Sequence, residues 1–187
     1  GITANAGGAR SRGVEGTLAL TLGRFNLAGN YTYLDAKLTQ DAPGLIGGLS
    51  KPFARPGAGD AFSGDRLPGS SRHAGSITAS YTMPLSDGAD LDLMWSTAAR
   101  SNTYSTTGLR GYGEVIPGYS TSRASITYKT AKLDLSVFVN NVFDKYAVSS
   151  VSNDYTLARA NDGVLIRSYG FGVIQPRQIG AELRGRF

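Results

Sequence analysis

The chain has 187 residues, of which 41% are hydrophobic, and its 19 Lys and Arg against 14 Asp and Glu give a formal net charge of +5. No stretch approaches the 18 or so consecutive apolar residues of a transmembrane helix, and the absence of Cys excludes disulfides and thiolate metal sites. Because the basic residues are scattered rather than grouped in blocks, the sequence indicates no nucleic-acid partner.

The first predicted elements are two strands joined by a tight turn. From Val14 to Leu22, apolar residues or Gly occupy every second position, and polar or small residues lie between them. The same alternation resumes from Phe25 to Tyr33, which leaves Gly23 and Arg24 as a hairpin turn. A period of two predicts strands with one apolar and one polar face.

The alternation recurs along the rest of the chain and predicts seven strands in all. The connections near residues 23, 86 and 131 are short, whereas 39–71, 104–118 and 148–172 are long. Short turns on one side and long loops on the other are typical of an outer-membrane β-barrel, and they place Phe187 at the periplasmic end. The predicted strands cover residues 10–22, 24–38, 72–83, 90–103, 119–130, 132–147 and 173–187.

Alternation alone also fits a soluble β-sandwich, but three features favour the membrane. The predicted strands reach the roughly 9–11 residues that a tilted membrane crossing requires. Their apolar faces are rich in Tyr and small residues and end in aromatics, as in an interfacial girdle. The last strand also ends on the aromatic Phe187.

Six segments of the chain carry short motifs in a fixed order: Asn5–Glu15, Asn26–Lys37, Arg66–His73, Pro117–Tyr119, Val139–Tyr146 and Gln175–Phe187. In this order they resemble motifs of TonB-dependent receptors. The departures are a missing second Pro after Pro68 and Gly185, where the family usually has an aromatic residue. The resemblance implies an all-β fold, an antiparallel transmembrane β-barrel segment of about seven strands from a larger barrel of about 22 strands. Residues 1–187 would then be the C-terminal portion of the barrel, without the plug domain.

The same resemblance implies a role in active transport across the bacterial outer membrane. Such receptors bind a scarce nutrient (a siderophore, a vitamin or a carbohydrate) and import it with energy from the inner membrane. The implied partners are outer-membrane lipid and lipopolysaccharide, the remainder of the receptor with its plug, the energy-coupling complex, the barrel-assembly machinery and a small-molecule ligand. The terminal strand resembles the family's barrel-assembly signal at Gln178, Gly180, Leu183 and Phe187.

Seven strands cannot close a standard bacterial barrel, and an open sheet in lipid would expose unpaired backbone groups. We therefore expect a fragment, a nicked product or a portion of a larger receptor. An independent eight-stranded barrel with a structural or adhesive role is the alternative, with Val164–Ile174 as the extra strand. A barrel hydrolase built on His73 and Ser71 is the third hypothesis.

The sequence contains no convincing catalytic, cofactor or metal motif, so we expect no enzyme. With a single His and no Cys, a zinc site built on those ligands is excluded. Asp87, Asp90 and Asp92 are interpreted as a solvated edge beside a turn, and the glycines of 111–113 and 170–172 as turn or loop residues. Arg and aromatic residues in the long loops suit anionic or aromatic ligands. These candidates are Arg55, Arg66, Tyr104, Arg110, Tyr112, Asn153 and Tyr155.

Overall fold

The computed structural model describes residues 7–45, 60–86, 88–109, 113–156 and 166–185, with only the backbone of 153–156 and 166–169. In these ranges the chain forms eleven strands and one 3-10 turn at Thr107–Leu109. No helix in the described part is long and apolar enough to cross a membrane. The strands are β1 (Ala9–Leu22), β2 (Phe25–Leu38), β3 (His73–Pro84), β4 (Asp90–Arg100), β5 (Thr103–Tyr104), β6 (Val115–Ile116), β7 (Tyr119–Lys129), β8 (Leu133–Asn140), β9 (Val148–Thr156), β10 (Ile166–Val173) and β11 (Gln178–Gly185).

Seven of the strands form one antiparallel sheet in the order β1-β2-β3-β4-β7-β8-β11. The other four form two small sheets, β9 with β10 and β5 with β6. The all-β antiparallel fold with seven main strands is therefore confirmed. Among the described residues β1 and β11 are the edges of the large sheet, which is not closed.

The short connections all lie at one end of the sheet, as predicted. In the tightest, Leu22 pairs with Phe25 and only Gly23 and Arg24 turn the chain. Gly23 has φ +59°, a backbone conformation that a residue without a Cβ adopts without steric cost. The turns between β3 and β4 and between β7 and β8 lie at the same end, so the three long connections leave from the other.

The register of the sheet collects the alternating apolar residues on a single face. One row runs through Phe25, Tyr81, Leu93, Ile126 and Val137 on five successive strands. The last four side chains remain between 38% and 53% exposed, because no described part of the chain packs on them. An uncovered apolar face of this size suits a lipid environment, and a soluble sandwich would cover it with a second layer.

The opposite face is polar, and its side chains bond to one another across strands. Asp92 pairs with Lys129 and accepts a hydrogen bond from Thr82 at 2.7 Å. Asp92 is therefore an ion-paired residue of the sheet, whereas Asp90 is exposed as expected and Asp87 lies outside the described residues. Cross-strand hydroxyl and amide pairs, each 2.8–2.9 Å apart, are Asn30 with Ser76, Thr78 with Ser96, and Thr127 with Ser136.

Several predicted strand ends were wrong. The predicted strand 132–147 ends at Asn140, because Asn141 and Asp144 adopt positive φ angles of 49° and 50° and turn the chain. The predicted strand 90–103 ends at Arg100. The final strand begins at Gln178 rather than at 173, beyond Pro176, which has no amide hydrogen for a ladder.

The connection predicted over 148–172 contains a further hairpin, of which the sequence indicated only the second strand, within the alternative extra strand Val164–Ile174. Its strands β9 and β10 pair only with each other, while β8 pairs directly with β11. Among the described residues, the alternative eighth strand therefore exists as β10, but it pairs with β9 and not with the main sheet. Gly170 and Gly172 are strand residues of β10 and not turn glycines; the hydroxyls of Ser152 and Ser150 occupy the space where their Cβ atoms would lie.

Candidate functional site at the loop end of the sheet

Three long connections leave the sheet at the end opposite the short turns. We name them L1 (residues 39–72), L2 (residues 101–118) and L3 (residues 141–177). Loops held by a rigid scaffold commonly carry the binding residues of a protein. The described parts of L1, L2 and L3, with the adjoining strand ends, form the candidate site.

The described parts of L1 fold back on β2 and form a small core. Leu38, Ala42 and Ala61 are at most 5% exposed, and Leu67 packs against them. The backbones of Ala42 and Ala61 exchange two hydrogen bonds of 2.8 and 3.1 Å. The two legs of L1 are thus joined where they leave the sheet.

Arg66 lies where L1 meets L2. Its side chain is buried, and its Nη2 donates to the carbonyl oxygens of Ser70 and Asn102, the second at 2.8 Å. The guanidinium carbon lies 4.8 Å from the centre of the Tyr104 ring. Backbone bonds reinforce the junction: the amide of Gly108 donates to the Arg66 carbonyl, and the amide of Gly69 donates to the Tyr104 carbonyl, both at 2.9 Å.

L2 crosses back toward the sheet through the short β5–β6 pair. Thr103 in β5 is 1% exposed and lies opposite Ile116. The chain then passes Gly118, where a Cβ atom would be 2.5 Å from the carbonyl oxygen of Arg100. The Pro-Gly-Tyr motif therefore has a steric basis, because only Gly allows the backbone to pass this close.

Arg100, the last residue of β4 and the one directly before L2, joins this end of the sheet to L3. Its Nη2 donates to the carbonyl oxygen of Ser149 at 2.9 Å, and its guanidinium carbon lies 4.7 Å from the centre of the Tyr119 ring. The Nε atom is buried and has no hydrogen-bond partner in the described part of the chain. The charge-assisted bond from Nη2 to the Ser149 carbonyl fixes the position at which L3 passes β4.

L3 begins with a turn that side chains hold closed. Asn141 is buried, and its Nδ2 donates to the carbonyl oxygens of Lys145 and Gln175, both at 2.9 Å. The amide of Arg177 donates to the Asp144 carboxylate at 2.9 Å, and the Arg177 guanidinium lies 3.5 Å from it. These contacts hold the pKa of Asp144 below its ordinary value, first through the backbone hydrogen bond. The "N-N-V-F-D-K-Y" segment is thus a closed turn.

Three residues of the candidate site were missed from the sequence: Arg100, Arg123 and Asn141. Arg123 is exposed on the polar face, 5.3 Å from the centre of the Phe138 ring, and Phe138 in turn covers Gly180. Both arginines occupy polar-face positions in the loop-end part of their strands. An Arg on the polar face near the loop end of a strand is the sequence signal that could have identified Arg100 and Arg123.

His73 lies on the apolar face near the loop end. Its Nδ1 is 2.7 Å from the Tyr31 hydroxyl, and its ring centre is 5.3 Å from that of Tyr33. The Ser71 hydroxyl donates to the Ser101 carbonyl at 3.3 Å. Within the described ranges no three His, Asp or Glu residues are grouped as they would be to hold a metal ion. The expectations of no enzyme, no cofactor and no metal stay predictions.

Of the predicted ligand residues, the structure brings Arg66 and Tyr104 into contact with each other. Arg55, Arg110 and Tyr112 lie outside the described residues, and Asn153 and Tyr155 are described only as backbone of β9. Their ligand roles stay predictions. Of the assembly signal, Gln178, Gly180 and Leu183 lie in β11 and Phe187 is outside the described residues, so the signal also stays a prediction.

Comparison with known proteins identifies the class of protein to which this sheet belongs. The family model described as "TonB dependent receptor-like, beta-barrel" matches residues 1–142. The chain belongs to this family, whose members are outer-membrane receptors. No curated protein matches the chain.

Among solved structures, the chain is similar to BauA, the ferric preacinetobactin receptor from Acinetobacter baumannii. The TM-score is 0.60 at 16% sequence identity, over 94% of this chain. The match spans 21% of the BauA chain, so this chain corresponds to about a fifth of that receptor. At this identity the likeness shows a shared fold.

Proposed function

We propose that this chain forms the C-terminal strands of an outer-membrane transporter that binds a scarce nutrient and imports it with energy from the inner membrane. The observation that carries the proposal is the family match over residues 1–142, on a sheet with one exposed apolar face and one polar face. The apolar face would meet outer-membrane lipid and lipopolysaccharide. The polar face would line the lumen and meet the plug of the same receptor.

The ligand would be a small molecule held at the loop end. The sequences of L1, L2 and L3 contain Arg and aromatic residues, which suit anionic or aromatic ligands such as iron chelates. The likeness to a ferric siderophore receptor makes a ferric siderophore the first class to test. A vitamin and a carbohydrate are the other two classes.

The remaining partners follow from the same proposal. A seven-stranded sheet with two open edges exposes backbone groups that lipid cannot satisfy, so the other strands of the receptor would pair with β1 and β11. The energy-coupling complex would act through the plug. The barrel-assembly machinery would recognise the terminal strand β11.

The proposal is tested by uptake in the native bacterium. Deleting the polypeptide that carries this chain should abolish uptake of one labelled class among a ferric siderophore, a vitamin and an oligosaccharide. Restoring it should recover uptake, and collapsing the inner-membrane proton gradient should abolish it again. Unchanged uptake of all three classes would remove the transport proposal.

A matched pair of variants tests whether the loops bind the ligand. Arg110→Gln changes a predicted ligand residue of L2, and Arg24→Gln removes the same charge from the short turn at the opposite end of the sheet. We expect weaker ligand binding in the first variant and wild-type binding in the second. Equal binding in both would remove Arg110 from the predicted ligand residues.

We also propose that the protein is not an enzyme. In the described part of the chain His73 lies against Tyr31 and Tyr33 on the apolar face, which suits an interfacial aromatic cluster better than a general base. Hydrolysis of a lipid or ester substrate by the purified protein, lost in His73→Ala, would overturn this.

A further inference from the structure

Two arginines connect the loops of the candidate site: one joins L1 to L2, and the other, directly before L2, joins the end of β4 to L3. Arg66 projects from L1 and bonds to a carbonyl of L2, and Arg100 projects from the end of β4 and bonds to a carbonyl of L3. Each guanidinium also faces an aromatic ring, that of Tyr104 at 4.8 Å and that of Tyr119 at 4.7 Å. We name these contacts the L1–L2 seam and the L2–L3 seam.

The chemistry of both seams fits positioning better than ligand capture. The buried guanidinium of Arg66 already holds two backbone carbonyls and lies over a ring, so binding a ligand would require breaking those contacts. Arginine suits this role because its planar fork can bond two acceptors and stack at the same time, which the point charge of Lys cannot do. One carbonyl partner of each arginine is distant in sequence: Asn102 is 36 residues from Arg66, and Ser149 is 49 residues from Arg100. Each of these bonds therefore fixes where one segment passes another.

We propose that Arg66 and Arg100 are positioning residues that hold the described parts of L1, L2 and L3 in one preformed arrangement. The ligand would then meet a single surface rather than three independent loops, which lowers the ordering cost of binding. For Arg66 this replaces the ligand-contacting role expected from the sequence. The account of the ligand rests on the proposed function, but the arrangement of the loops does not.

The seams can be tested by measuring distances between loops. The 187 residues contain no Cys, so within them only introduced cysteines would carry a nitroxide spin label. Ser63→Cys with Val115→Cys reports across the L1–L2 seam, and Val115→Cys with Ser152→Cys reports across the L2–L3 seam. All three positions are exposed. The measurement uses the intact polypeptide in native outer membranes, without ligand.

Each seam serves as the control for the other. Arg66→Leu should turn the narrow distance distribution of the first pair into a broad one and leave the second unchanged, and Arg100→Leu should do the reverse. Arg66→Lys should also broaden the first pair, because the charge remains but the planar guanidinium, which donates to two carbonyls through Nη2 while it lies over the Tyr104 ring, is lost. Narrow distributions in all variants, or broadening of both pairs by each variant, would overturn the proposal.

A further variant keeps the proposal testable. If Arg66→Leu fails to assemble, Tyr104→Leu removes only the ring beneath the guanidinium and should broaden the first pair alone; an unchanged distribution would count against the seam. The distances are measured without ligand, so their result does not depend on the proposed transport function. If the variants broaden the distances as expected but the protein imports no nutrient, this inference stands and the proposed function fails.

Discussion

Gly118 offers a direct test of how tightly L2 is packed against β4. In Gly118→Ala the new Cβ would lie 2.5 Å from the Arg100 carbonyl oxygen and 2.9 Å from two backbone atoms of Ser101. The closest of these contacts is roughly 1 Å shorter than an ordinary one, and the obstructing atoms are backbone, so the two segments must separate. Overpacking of this kind costs about 1–3 kcal/mol.

The cost should appear as local opening beside the substitution. The amide of Ser101 donates to the carbonyl of His73 at 2.7 Å, so its hydrogen exchange reports whether this segment is closed. A loss of about 1–3 kcal/mol corresponds to exchange faster by about 5- to 150-fold. The control is Gly16→Ala in β1, where a Cβ would meet nothing within 4 Å. Equal exchange of the Ser101 amide in both variants would refute the steric reasoning.

Three other predictions concern L3 and the terminal strand. Because the pKa of Asp144 is lowered in the folded protein, its carboxylate stabilises the turn above the ordinary carboxyl range, and this contribution is lost as pH falls below about 4. Exchange of the Arg177 amide, corrected for intrinsic pH dependence, should therefore accelerate in acid in the wild type and not in Asp144→Asn. In Gly180→Ala the new Cβ would be 2.5 Å from Phe138 Cζ, so the yield of assembled barrel should fall. A second substitution, Phe138→Ala, removes the clash and should restore the yield. If the double variant shows no rescue, Gly180 acts in assembly recognition instead. Deleting Phe187 should lower membrane insertion, and an unchanged heat-modifiable barrel yield would count against an assembly signal there.

The packing of Phe138 over Gly180 adds a structural reason to a motif that the sequence links only to assembly. Gly180 lies opposite Phe138 on β8, and the absence of a Cβ leaves room for the ring. An aromatic ring that covers a cross-strand glycine fills the gap and helps to fix the register. The two roles are not exclusive, and the double variant separates them.

Much of the sheet could be predicted because its signal is local. A strand between water and lipid alternates polar and apolar residues, and a one-residue shift would turn every side chain to the wrong face. The pairing of Leu22 with Phe25 and the row from Phe25 to Val137 therefore follow from the sequence. The hairpin β9–β10 escaped because β9 reads Val-Ser-Ser-Val-Ser-Asn-Asp-Tyr-Thr, which lacks a clean period of two. The second strand, β10, does alternate from Ser168 to Val173, but the sequence does not show that β9 is its partner.

The sequence by itself determined the fold class, the two faces of the sheet and the end from which the long loops leave. Only the tertiary structure decided which groups the loop side chains contact. From the sequence, Arg66 is predicted to be a loop residue that can bind a ligand. In the structure it is buried, and the carbonyl of Asn102 in L2, 36 residues away along the chain, accepts one of its hydrogen bonds. Alternation is a property of neighbours in sequence, whereas the partner of a loop side chain depends on which distant backbone passes beside it.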